Sequence, residues 1–189
     1  MAQDIPRIDL AAVIKAFGEI EKKNKNIVFG FFSNPIQLQT WNIPDMLDVY
    51  GLKEKCFIPA PGNNAFYGFL TKGDLYHSTD VVVVPQQEEI INMPAIEAAY
   101  CGVPVIIPTS GPTGEIIKKN GIVPLEKTDI FVSPPFNSRL RVYDSEEIAG
   151  KILKLHSSRK KQKKYDPAYK RLSWDKVINQ WLDVIHYSM

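Results

Sequence analysis

Two glutamates, Glu89 and Glu97, stand eight residues apart across a change from apolar run to helical pattern. A carboxylate at the mouth of a sheet can accept hydrogen bonds from paired hydroxyls, such as those of a ribose or a hexose. Two surface glutamates at this spacing are also common and need no function. Farther on, Ser110-Gly111-Pro112-Thr113-Gly114 separates a second apolar run from a helix start. Amides exposed at a helix N-terminus form an anion site. This stretch holds neither a phosphate-loop lysine nor a G-x-G-x-x-G pattern, and by itself it reads first as an ordinary turn. Arg7 precedes the first helix, where a guanidinium could pair with a phosphate or simply face solvent. The three histidines, His77, His156 and His186, have no metal-ligand spacing, and no serine sits in a nucleophile elbow.

The elements that position these residues follow from periodicity. Asp80 to Val84 reads as a strand ending at Pro85, and Gln86 to Asn92 as a polar loop. Pro94 opens a helix over Ala95 to Tyr100, since proline is tolerated in a first helical turn. Gly102 stops that helix, Val103 to Ile107 is a second strand, and Pro108 to Gly114 is a turn. This is a βαβ unit. The loops after its strands lie at their carboxyl ends, where open α/β sheets place ligands.

On either side the alternation continues. Leu10, Val13, Ile14, Phe17 and Ile20 line one face of a helix from Asp9 to Lys23, with Asp9 as its cap. Ile27 to Phe32 reads as a buried strand, Pro44 to Tyr50 as a short helix stopped by Gly51, and Cys56 to Ile58 as a strand. Phe66 to His77 is helical, Gly114 to Lys119 is a short helix, and Gly121 to Leu125 is extended. Ile130 to Val132 and Leu140 to Tyr143 are late strands. Ser145 caps a helix to Ser157, and Trp174 to Tyr187 is a last helix. Alternating strands and helices predict an α/β fold, with a mostly parallel sheet covered by helices on both faces.

Composition narrows the class. The chain has 189 residues, 44% hydrophobic and 23% charged, as in ordinary globular proteins. A net charge of +2 gives no argument for nucleic-acid binding. Cys56 and Cys101 lie in apolar stretches without metal-type spacing, which suits a reducing compartment. The N-terminus lacks the apolar core of a signal peptide, and no run reaches membrane-spanning length, so a cytoplasmic location is expected. Arg159 to Lys164, RKKQKK, reads as a solvated linker or as a peripheral contact with acidic phospholipid on a cytosolic membrane face.

In order, these features resemble a known pattern. The run Asp80–Val84, Pro85, Glu89, Pro94, Glu97-Ala98, Gly102-Val103-Pro104-Val105, Gly111 and Gly114-Glu115-Ile116-Ile117 resembles the donor-binding, C-terminal domain of retaining GT-B glycosyltransferases of the group 1 type. Arg7 to Phe17 resembles that domain's first helix, and Leu172 to Ile185 its C-terminal helix. The resemblance implies a Rossmann-like domain over residues 1–172, with 173–189 as a helix packing on it or on an N-terminal GT-B domain.

It also implies roles. Glu97 would bind the nucleotide ribose and Glu89 the donor sugar, as the catalytic-site carboxylate. The backbone of Ile90, Ile91, Asn92 and Met93, with Gly111 opposite, would hold the diphosphate, and Arg7 would neutralise it. The donor would be a UDP- or GDP-linked hexose, transferred with retention and without metal or other cofactor to a glycan, lipid or protein acceptor. The sequence departs from the pattern in three places. Ile90-Ile91-Asn92 replaces Gly-aromatic-Gly, Ile8 stands where a lysine is usual, and Gln86 replaces a serine. Three readings therefore stay open: one half of a glycosyltransferase, excised from its acceptor domain or working with a partner chain; a non-catalytic module kept for partner binding; and an epimerase or phosphorylase on the same plan.

Overall fold

The computed structural model describes residues 9–30, 42–57, 72–87, 91–109, 111–117, 122–133, 138–158 and 174–187. In chain order the elements are α1 (Leu10–Lys23), β1 (Phe29–Gly30), α2 (Ile43–Val49), β2 (Cys56–Phe57), α3 (Lys72–His77), β3 (Val82–Val83) and α4 (Met93–Tyr100). They continue with β4 (Val105–Pro108), α5 (Pro112–Ile117), β5 (Ile122–Leu125), β6 (Thr128–Ser133), β7 (Ser138–Tyr143), α6 (Ser145–Ser158) and α7 (Trp174–Tyr187).

Strands β3, β4 and β5 form a parallel sheet in that order, and β1 pairs with β2, also in parallel. Side chains along a strand point alternately to opposite faces, and the core divides accordingly. Val105 and Ile107 of β4, with Val82, Val84 and Ile122, pack against α4 and α5. Ile106 of β4, with Val83, Val123 and Leu125, joins α1, α2 and α6 on the other face. A strand covered on both sides needs a continuous apolar run, which is why Val103 to Ile107 is legible without alternation. Ile14, Ile106, Ile107 and Ile148 are buried, each contributing about 1.5–3 kcal/mol of apolar burial.

The sequence reading holds for the α/β class and differs in detail. β6 and β7 form an antiparallel hairpin rather than joining the parallel sheet. The four residues between Ser133 and Ser138 are too few for a parallel crossover, which needs a dozen or more. Leu140 and Tyr143 anchor the hairpin, while Ile130, Phe131 and Val132 are exposed. Among the described residues of the strand expected from Ile27 to Phe32, Phe29–Gly30 is regular, and Val28 faces solvent. Asp144, not Ser145, caps α6: its Oδ1 accepts from the Glu146 amide at 2.8 Å and the Glu147 amide at 3.3 Å. Pro108 closes β4, and the helix expected from Gly114 begins earlier, at Pro112, so Gly114 lies inside α5. Expectations for residues 31–32, 58, 66–71, 118–119 and 121, and for the basic run 159–164, lie outside the described residues.

Shielded thiols and phenols make stability fall in alkali, Cys56 and Tyr143 among them. Burial pushes the Cys56 thiol from 9.0 up to about 11. The Tyr143 phenol is pushed from 10.0 up to about 12, by burial first and also by Asp9, against an opposing pull from Arg141. Both are raised, so both favour folding fully below their unfolded values. Unfolding free energy measured in urea should therefore hold steady to about pH 8 and decline from about pH 9 upward. Tyr143→Phe should make the decline above about pH 10 shallower and leave its first part in place.

Candidate functional site

Of the expected site residues, Ile91, Asn92 and Met93 follow β3 and Gly111 follows β4. The chain leaves β3 through Pro85, whose carbonyl accepts from the Asp9 amide at 2.9 Å. Asp9 itself is buried. Its Oδ1 caps α1 through the Ala12 amide at 3.1 Å, and its Oδ2 accepts from the Tyr143 amide at 2.9 Å. The Tyr143 hydroxyl in turn donates to the carbonyl of Gln86. Gln87 is also buried, and its Nε2 donates to the Arg141 carbonyl at 3.0 Å. Thus α1, the end of β3 and the hairpin strand β7 meet where the loop to α4 begins. Arg7, Glu89 and Ile90, three of the expected site residues, lie outside the described residues.

The loop ends at Asn92, which caps α4: its Oδ1 accepts from the Ala95 amide at 3.0 Å. Its own amide donates to Thr113 Oγ1 at 2.7 Å, tying the start of α4 to α5. The Asn92 amide and side-chain oxygen are therefore both engaged within the fold. Ile91 and Met93 flank it, each more than half exposed at 56% and 55%. Gly111 opens the facing turn with φ 93°, a left-handed conformation that a Cβ would strain.

Helix α4 presents Ala95, Ile96, Ala98 and Ala99 to the core, and the three alanines let it pack closely on the sheet. Glu97 falls on its half-buried flank. The helix closes in a Schellman motif: Val103 N–H donates to the Ala98 carbonyl and Gly102 N–H to that of Ala99, both at 3.0 Å. The Glu97 carboxylate is held by a neighbouring element. Tyr76, near the end of α3, donates its hydroxyl to Glu97 Oε2 at 2.8 Å. Burial, then the bond to Glu97 and that group's negative charge, push the Tyr76 phenol well above its ordinary value. Burial and Glu97 likewise raise the Cys101 thiol. A half-buried carboxylate has acceptor capacity for hydroxyl donors.

Ile91, Asn92, Met93 and Gly111 thus sit on the loops and helix starts that follow β3 and β4, and Glu97 lies one turn into α4. Tyr76, Asp9 and Thr113 were not among the sequence-derived candidates for this site. The helical pattern around Tyr76 marks it only as apolar, and the cap pattern at Asp9 shows one of its two bonds. No local signal marks Thr113 as the partner of Asn92. Among the described residues, no group of three or more His, Cys, Asp or Glu side chains could hold a metal ion. Nor is any described helix long and apolar enough to cross a membrane.

Comparison with known proteins follows the same lines. The crystal structure of the C-terminal domain of a glycosyl transferase group 1 family protein (LpcC) from Francisella tularensis is similar in fold, with a TM-score of 0.58 at 19% sequence identity. The likeness covers 85% of this chain and 74% of that one. No curated protein matches. The family model described as "Glycosyl transferases group 1" matches residues 6–172, nearly the whole chain, which supports a sugar-transferring role. With this match and the parallel sheet packed on both faces, the chain belongs to the glycosyl transferases group 1 family, as a C-terminal GT-B domain.

Proposed function

We propose that this chain is the nucleotide-sugar-binding half of a retaining, metal-independent glycosyltransferase that moves a hexose from a UDP- or GDP-linked donor. The observation that carries the reading is the Glu97 carboxylate, half-buried on α4 and held at 2.8 Å by Tyr76. Such a group can bridge the paired hydroxyls of a ribose. Glu89 would meet the donor sugar, the backbone around Ile91 and Met93 and the turn at Gly111 would face the diphosphate, and Arg7 would offset its charge. Ile90 would line the same loop. The acceptor, a glycan, lipid or protein, would be held by an N-terminal GT-B domain or a partner chain, so this domain alone would not turn over. Helix α7 supports a covering partner. Trp174, Ile178, Trp181, Leu182 and Ile185 are all exposed on it, more apolar surface than a helix leaves in water without a neighbour. The location would be cytoplasmic, with Arg159 to Lys164 touching anionic lipid.

One observation favours a second reading, a non-catalytic module. The Asn92 backbone amide is already spent on Thr113, so it is not available to a diphosphate. Calorimetry separates the two. UDP- and GDP-hexoses are titrated into the wild-type chain and into Glu97→Ala. The glycosyltransferase reading expects binding by one of them and a loss of about 10- to 100-fold in the variant, the worth of hydrogen bonds to a charged group. No heat and no shift in melting temperature with millimolar nucleotide sugar would favour the non-catalytic module.

A further inference from the structure

We infer that Tyr76 is a positioning residue for donor recognition, setting the ribose selectivity of the site through Glu97. The inference deepens the nucleotide-sugar reading above and rests on it. Its basis is geometric. Tyr76 and Glu97 are 21 residues apart, on α3 and α4, and meet through a 2.8 Å bond from the phenol to Glu97 Oε2. The ring of Tyr76 is half-buried and packs against the buried cluster that seats α4, which limits its freedom to swing away. A glutamate has three side-chain torsions, and ordering it at the moment of ligand binding opposes affinity. The phenol removes that penalty by fixing the carboxylate during folding. A carboxylate has about four lone-pair positions, so the bond from Tyr76 orients it without exhausting its capacity to accept. Burial and Glu97 keep the phenol protonated at any pH the protein would meet, so the bond persists as a donor bond.

A hydroxyl serving packing alone would not alter which sugar hydroxyls the site distinguishes. The test therefore measures dissociation constants of UDP and GDP, and of their 2′-deoxy and 3′-deoxy analogues, for wild type, Tyr76→Phe and Glu97→Gln. The phenylalanine keeps the ring and removes only the hydroxyl. The expected result is a loss of about three- to tenfold in ribonucleotide affinity for Tyr76→Phe. The deoxy analogues should lose less, so the ratio of ribose to deoxyribose affinity narrows. Unchanged affinity and ratio in Tyr76→Phe, with both falling in Glu97→Gln, would overturn the role of Tyr76 and leave the donor-site reading standing. Unchanged affinity in Glu97→Gln, or no binding of either nucleotide to wild type, would overturn that reading and this inference with it. Should Tyr76→Phe fail to fold, trifluorotyrosine at position 76 keeps ring and hydroxyl but ionises at a much lower pH. Ribose selectivity should then vanish as that phenol ionises, and selectivity that stays constant through its titration would overturn the inference.

Discussion

Asp9→Ala is expected to lower the unfolding free energy by about 2–4 kcal/mol, the largest effect of any single polar substitution foreseen here. The sum has two parts. Losing an N-cap acceptor costs about 1 kcal/mol, because the Ala12 amide is left without its partner. Leaving the buried Tyr143 amide unsatisfied costs about 1–3 kcal/mol more. Asp9→Asn should fall between wild type and alanine. Its Oδ1 can still cap α1, but its amide group would meet the Tyr143 N–H donor to donor. Urea unfolding of the three proteins gives this order, and equal stability of alanine and wild type would refute it. Hydrogen exchange should locate the damage. Tyr143 and the strand β7 should lose protection before β4 does, because Asp9 joins the hairpin to the rest while β4 is buried between two helical layers. The consequence would reach the site, since the same cluster holds the Gln86 carbonyl at the start of its loop.

Gly114→Ala is expected to cost about 2 kcal/mol, although alanine favours a helix interior over glycine by about 1 kcal/mol. A Cβ at this position would lie 2.7 Å from the Thr109 carbonyl carbon and 2.9 Å from its Cα, with the carbonyl oxygen closer still. These are backbone atoms at the end of β4 and cannot rotate aside, so α5 must move. The shift would carry Thr113, and with it the bond that holds the Asn92 amide. Donor affinity should therefore fall together with stability. Gly150 supplies the contrast within the same chain. It lies in α6 with nothing within 4 Å of an added Cβ. Gly150→Ala should stabilise by about 0.5–1 kcal/mol and leave nucleotide binding unchanged. Melting temperatures of the two variants moving in the same direction would contradict the packing argument.

The two cases mark how far local pattern reaches. The pattern Pro-x-x-Glu97 before Gly102 places a helix after a strand, because apolar periodicity and capping residues act over a turn or two. The same holds for α1, whose cap and apolar face are written within residues 9–23. Gly114 reads as a turn residue by type. Its real constraint is close approach to Thr109, which exists only once β4 and α5 have packed. Ser145 reads as a cap by type, yet Asp144 one residue earlier takes the role, since both residues suit the position and the helix start decides between them. The hairpin β6–β7 was legible as two strands but not as an antiparallel pair standing off the sheet.

The sequence by itself determined the α/β class, the βαβ unit with Glu97 on its helix, and membership of a sugar-transferring family, because strand and helix periods and short motifs are local. Tertiary structure alone decided which distant groups meet. Tyr76 reaches Glu97 across 21 residues, Tyr143 reaches Gln86 across 57, and Asp9 reaches Tyr143 across 134. Hydrogen bonds at such separations carry no sequence period. They form only where packing of the two helical layers brings the elements together. That packing gives Glu97 an orientation, whereas the sequence shows only a glutamate.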